Sequence, residues 1–133
     1  MAVLAKTGTP SICTKGPCDA HRISGLLAGE ALVAGDACLI NSAGVIVRST
    51  GAANTAAARV HGWAALDTAT GEPVTLYHDV NFNYGTGVTP GANYYLASAA
   101  PGGLDTAPTV GGLVPIAFGL PGGRVRVLRD LKA

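Results

Sequence analysis

Val60-His61-Gly62-Trp63-Ala64-Ala65-Leu66, a turn over Asp67-Thr68-Ala69-Thr70-Gly71, and the return Pro73-Val74-Thr75-Leu76-Tyr77-His78 read as two strands joined by a turn. In the return segment Val74 and Leu76 fall on one side and Thr75 and Tyr77 on the other. That is the two-residue period of a half-buried strand. Trp63 alternates with Val60, Gly62 and Ala64 and is expected to face away from them. It is either a core anchor or an interface hot spot, with core the default for so large a side chain.

The same grammar extends outward. Ala37 to Asn41 is a compact apolar run, Ser42-Ala43-Gly44 a turn, and Val45 to Arg48 the return, with Gly44 placed for a left-handed residue. Thr50 to Ala58 reads as a loop or short helical turn, and Val80 to Tyr84 as a continuation of the sheet after a kink at His78-Asp79. Thr89-Pro90-Gly91 carries a type II turn signature, since proline presets its φ and glycine supplies the positive one. Tyr94 to Ala97 follows as a strand, and Ser98 to Gly112 as a long Gly- and Pro-containing loop. Val114 to Phe118 is a strand interrupted by Pro115, which implies an edge or a strand start. Pro121-Gly122-Gly123 then turns the chain into Arg124 to Arg129, where Val125 and Val127 alternate with Arg124 and Arg126. No stretch of ten residues holds a 3.6-residue period with caps. The expectation is all-β: a small sandwich or barrel-like domain over 25–133, with an extended N-terminal arm over 1–24 and long loops.

The totals bound the function. The 133 residues fit one domain, and charged residues make up 13%, about half the usual share. At a net charge of +1 there is no basic stripe to recruit nucleic acid. No polybasic patch or amphipathic helix is present to hold a membrane, and no apolar run is long enough to span one. Met1 to Pro10 does not resemble a signal peptide, so synthesis in the cytoplasm of the producing cell is expected. An apolar-leaning, weakly charged surface fits coverage by partner subunits.

Candidate chemistry is sparse. Cys13 and Cys18 lie close in sequence to His21, but zinc needs about four ligands, and the fourth would have to be Cys38 or a distant histidine. The spacing matches no standard pairing, so neither a metal nor another cofactor is expected. A Cys13–Cys18 disulfide would close a tiny loop, and only under oxidising conditions. Cys38, inside a strand pattern, reads as a small core side chain. His61, Asp67 and His78-Asp79 invite a search for a triad, yet no nucleophile elbow, paired acids or metalloprotease motif accompanies them. Gly111-Gly112 and Gly122-Gly123 lack the lysine and the helix of a phosphate loop. No catalytic residue is assigned, and an enzyme is not expected.

Longer phrases, taken in order, are more specific. Leu32-Val33-Ala34-Gly35-Asp36-Ala37 and Gly44-Val45-Ile46-Val47 come first, followed by Ala58-Arg59-Val60-His61-Gly62-Trp63-Ala64-Ala65 and Gly71-Glu72-Pro73-Val74-Thr75-Leu76. Val88-Thr89-Pro90-Gly91-Ala92-Asn93-Tyr94-Tyr95-Leu96 and Val114-Pro115-Ile116-Ala117-Phe118 complete the series. This order, over about residues 25 to 129, resembles tailed-phage capsid decoration (cement, head-stabilising) proteins. The resemblance implies a β-rich body that trimerises on the outside of the phage head, partnered by the major capsid protein and by itself. It also implies an N-terminal arm that clasps neighbouring capsid subunits. Ile12 and Lys15 in the arm, with Trp63, Tyr84 and Leu104, are the candidate capsid or subunit contacts. Two rivals stay open: a phage tail or fibre β-module, and a small hydrolase or carbohydrate-binding module for which the Tyr94-Tyr95 pair is the only hint.

Overall fold

A computed structural model describes residues 21–132 of the chain. Ile12 and Lys15, the cysteine pair Cys13 and Cys18, and all of the expected arm before His21 lie outside the described residues. The body is all-β and contains two five-stranded antiparallel sheets. The chain fills them one after the other. The first sheet takes β1 (Arg22–Leu27), β2 (Ala37–Ile40), β3 (Ile46–Arg48), β4 (Gly62–Ala64) and β5 (Pro73–Tyr77), in the order β1-β5-β4-β2-β3. The second takes β6 (Val80–Asn83), β7 (Asn93–Leu96), β8 (Leu104–Asp105), β9 (Ala117–Leu120) and β10 (Arg124–Val127), in the order β6-β10-β9-β7-β8. β1 starts at Arg22, so the expected boundary after Ser24 moves forward: Arg22–Ser24 belongs to the ladder with β5 and not to an arm.

The first sheet curls back on itself. β1 changes register between Ile23 and Leu26, with Gly25 at φ 80° between them. Such a bulge bends a strand sharply, and glycine takes the positive φ without a Cβ clash. Beyond the bend, Ala28 makes a parallel bridge to Ile46 on β3, the opposite edge, and Gly29 N–H donates to Ile46 O at 2.7 Å. The register puts Cys38, Gly62, Ala64, Leu76 and Val74 on one face of this sheet. That face forms a closed core with Ala28, Leu32 and Ile46. A barrel this small has room only for small side chains beside its larger ones. A Cβ on Gly62 would fall 2.6 Å from Leu76 Cβ. Cys38 is the small core residue expected; burial and the nearby Asp36 carboxylate push its thiol up to about 12, which leaves it inert.

The opposite face of the first sheet, carrying Ala37 and Trp63, packs on the second sheet through Tyr94, Leu96, Ala117, Val125 and Val127. This is the main hydrophobic layer. Trp63 is fully buried in it, and its indole Nε1–H donates to Leu128 O at 2.9 Å. Val60 joins the same cluster instead of facing away from Trp63. It sits ahead of β4 in an isolated bridge to Asp130, outside the pleat on which strict alternation depends.

One further expectation is corrected, and one open alternative is decided. Val80 to Asn83 does not continue the first sheet: Asp79 adopts φ 55°, and its N–H donates to Val127 O at 2.7 Å, which hands the chain to the second sheet. β9 starts at Ala117 and lies inside its sheet between β10 and β7, so Pro115 marks a strand start and not an edge. The hairpin turn at Gly44 (φ 82°) forms as read, as does the turn closed by Ala92 N–H to Thr89 O with Gly91 at φ 80°.

Candidate functional site

The sequence-derived contact residues separate into two kinds. Trp63 is withdrawn from every surface, so it is a core anchor and cannot serve as a contact. Tyr84 and Leu104 come together. They line a cleft of about 300 Å³ with Val88, Tyr94 and Val125. Burial raises the Tyr84 hydroxyl above the ordinary tyrosine range, against the opposing pull of a hydrogen bond from the Leu104 backbone. The Tyr94-Tyr95 pair does not make an aromatic platform. Tyr94 is buried with its hydroxyl accepting from Thr89 N–H at 2.8 Å, and Tyr95 points to the opposite face, paired with Asp105.

The long loop is less free than its length implies. It contains β8, and Gly102 links it to the first sheet by accepting from Ala37 N–H at 2.9 Å and donating to Ser49 O at 2.7 Å. Thr109 Oγ1 donates to Leu96 O at 2.7 Å, and Gly111 N–H donates to Gly51 O at 2.8 Å. Held by these bonds, Val110, Leu113 and Val114 stand 65%, 66% and 55% exposed. Within this loop, sequence reading named Leu104 as a candidate contact. It did not single out these three, whose signal is large aliphatic residues beside the Gly111-Gly112 turn.

The residues that invited a search for a triad are engaged separately. His61 Nδ1 accepts from Ile40 N–H at 2.9 Å, and Asp67 Oδ1 from Ala34 N–H at 2.9 Å. His78 instead meets Asp79, with Nδ1 2.7 Å from Oδ2, and this hydrogen bond lowers the Asp79 carboxyl below its usual range. His21 lies across from them. Arg22 pairs with Tyr77 in the β1–β5 ladder, so His21 and His78 occupy the next cross-strand position, and His78 N–H donates to His21 O at 3.0 Å. The two rings meet edge to face, 5.9 Å between centroids. One ligand atom from each of His21, His78 and Asp79 lies within 4.8 Å of the other two.

No family model matches the chain, and no curated protein matches it.

Proposed function

We propose that the chain is a viral structural protein, a capsid decoration protein that binds the outside of a phage head as a trimer and strengthens contacts between major capsid subunits. The observation that carries this reading is the set Val110, Leu113 and Val114. These are large aliphatic side chains held in water within five residues of one hydrogen-bonded loop, whereas the other exposed aliphatic residues, Leu27, Val33, Leu66 and Leu131, are scattered along the chain. Covering one such side chain contributes roughly 1.5–3 kcal/mol. Repeated over identical copies, that gain suits association with other subunits. The ordered phage-like phrases fall on the hairpins and turns of this body, in keeping with the resemblance.

Co-sedimentation with expanded empty heads tests the reading, beside sizing of the free protein. The full chain is expected to pellet with heads and to run as a trimer. A chain starting at His21, which keeps β1 and its ladder to β5, is expected to stay folded by circular dichroism and to lose head binding. Full-chain protein that stays in the supernatant, with density on the tail in micrographs of the virion, would replace this reading with a tail or fibre module. Equal pelleting by the shortened chain would remove the arm from the mechanism.

A further inference from the structure

We infer that His21, His78 and Asp79 form a binding site for one divalent transition-metal ion of the zinc class, at the open end of the β1–β5 ladder. The inference does not depend on the capsid reading. Two imidazoles backed by a carboxylate suit zinc and its neighbours, with hard cations such as magnesium preferring oxygen alone.

The fold assembles this set from residues 57 positions apart in sequence, by extending the strand register one step past Arg22 and Tyr77. Residues directly opposite on antiparallel strands have Cβ atoms about 4.5–5.5 Å apart, close enough for two imidazoles to share an ion. Asp79 follows immediately. Its carboxylate is an acceptor only, so the proton in the 2.7 Å contact belongs to His78 Nδ1. That leaves the Nε2 lone pair of His78 for an ion, with a carboxylate behind the ring, an arrangement recurrent among metal-bound histidines. Asp79 thus orients and polarises the His78 ring from behind, and the ion takes the two imidazoles directly, with water completing its shell.

The backbone adds a second observation. Only three non-glycine residues among the described ones have positive φ: His21 at 71°, Asp79 at 55° and Lys132 at 53°. Two of the three are in this cluster. Left-handed backbone at a non-glycine residue is disfavoured and tends to persist where the local geometry is used. The present separations, up to 4.8 Å, exceed the roughly 3–3.5 Å expected between donors bound about 2 Å from one ion. His21 is exposed and His78 half-buried, so rotation of the His21 ring can supply the difference. The opposing charge is Arg129, which acts on Asp79; it is exposed, so solvent and salt screen it.

A bound ion would tie the start of β1 to the junction where the chain passes from the first sheet to the second. It would also resolve the ligand set that sequence spacing leaves incomplete at His21. The distant histidine is His78, and Cys38 is sealed inside the barrel.

Chelator-stripped full-length protein titrated with Zn²⁺ against a chromophoric competitor, and with Co²⁺ by visible absorption, tests the inference. One ion per chain is expected, with a rise in thermal midpoint. His21→Ala, at an exposed position, and His78→Gln should each weaken binding by 100-fold or more, and Asp79→Asn by roughly 10–100-fold. A Cys13→Ser/Cys18→Ser chain controls for the thiols. If it still binds cobalt without a sulfur charge-transfer band, the site is the three named residues. If it loses binding while His21→Ala and His78→Gln also lose it, a thiolate completes the same site. Binding that survives both histidine substitutions, or no stoichiometric zinc binding by the full chain, would overturn the inference.

Discussion

Replacing Trp63 by phenylalanine separates a core role from an interface role. Trp63 is fully buried between the sheets, beside Ala37 and Val60 on one side and Val125 and Val127 on the other. Phenylalanine keeps an aromatic ring but removes the donor that satisfies Leu128 O at 2.9 Å. Leaving this part-buried carbonyl without its partner costs roughly 1–3 kcal/mol. The volume of the missing ring adds about 1 kcal/mol as a residual cavity. The sum is roughly 2–4 kcal/mol. At about 3–4 °C per kcal/mol for a chain of this size, the thermal midpoint should fall by roughly 6–16 °C. The assay is thermal unfolding by far-ultraviolet circular dichroism at matched protein concentration, because any assembly makes the midpoint concentration-dependent. Oligomeric state by sedimentation should be unchanged. In the unsubstituted protein, the sole tryptophan should resist acrylamide quenching until the chain unfolds. A midpoint shift below about 2 °C, combined with a change in oligomeric state, would refute the core assignment.

Two further outcomes follow from local geometry. Burial, then the positive charges of Arg59 and Arg129, hold the His61 imidazole below its usual range, and Nδ1 must stay unprotonated to accept from Ile40 N–H. The unfolded chain therefore takes up a proton that the folded chain refuses, so this contribution is present above about pH 6.5 and is lost as pH falls toward the lower folded value. Denaturant midpoints measured from pH 7.5 down to 5 should fall more steeply for the natural chain than for His61→Gln; parallel slopes would exclude the effect. Gly62→Ala places a Cβ 2.6 Å from Leu76 Cβ and 3.3 Å from Tyr77 O, inside the curled sheet. An overpacking cost of about 1–3 kcal/mol is expected in urea unfolding. Gly44→Ala meets no atom within 4 Å and bears only the strain of its φ of 82°, about 1–2 kcal/mol. A Gly62→Ala cost near zero would mean that β4 and β5 are not held as closely as described.

Much of the body was legible because its signals are local. Alternation along Pro73–Tyr77 and Arg124–Val127, glycine at the Gly44 turn, and the Pro90-Gly91 turn each depend on a few adjacent residues, and each appears where it was read. What was missed depends on pairing between distant residues. The kink at Asp79 was visible, but its consequence was not. Whether β6 rejoins the first sheet or starts the second is decided by a hydrogen bond to Val127, 48 residues on. The closure of β1 onto β3 rests on Ala28 meeting Ile46, two residues without any special sequence mark. The histidine cluster shows the same limit most clearly. Spacing rules for metal sites assume ligands that are near in sequence, within turns or on one helix face, and His21 and His78 satisfy none of them. They become neighbours only when Arg22 is set opposite Tyr77, so the chemistry at that end of the ladder is a property of the strand register. The exposed Val110, Leu113 and Val114 are the converse case. Their hydrophobicity was plain in the sequence, but a run of aliphatic residues looks the same whether it will be buried or displayed. The bonds from Thr109 to Leu96 and from Gly111 to Gly51 are what hold this one outward.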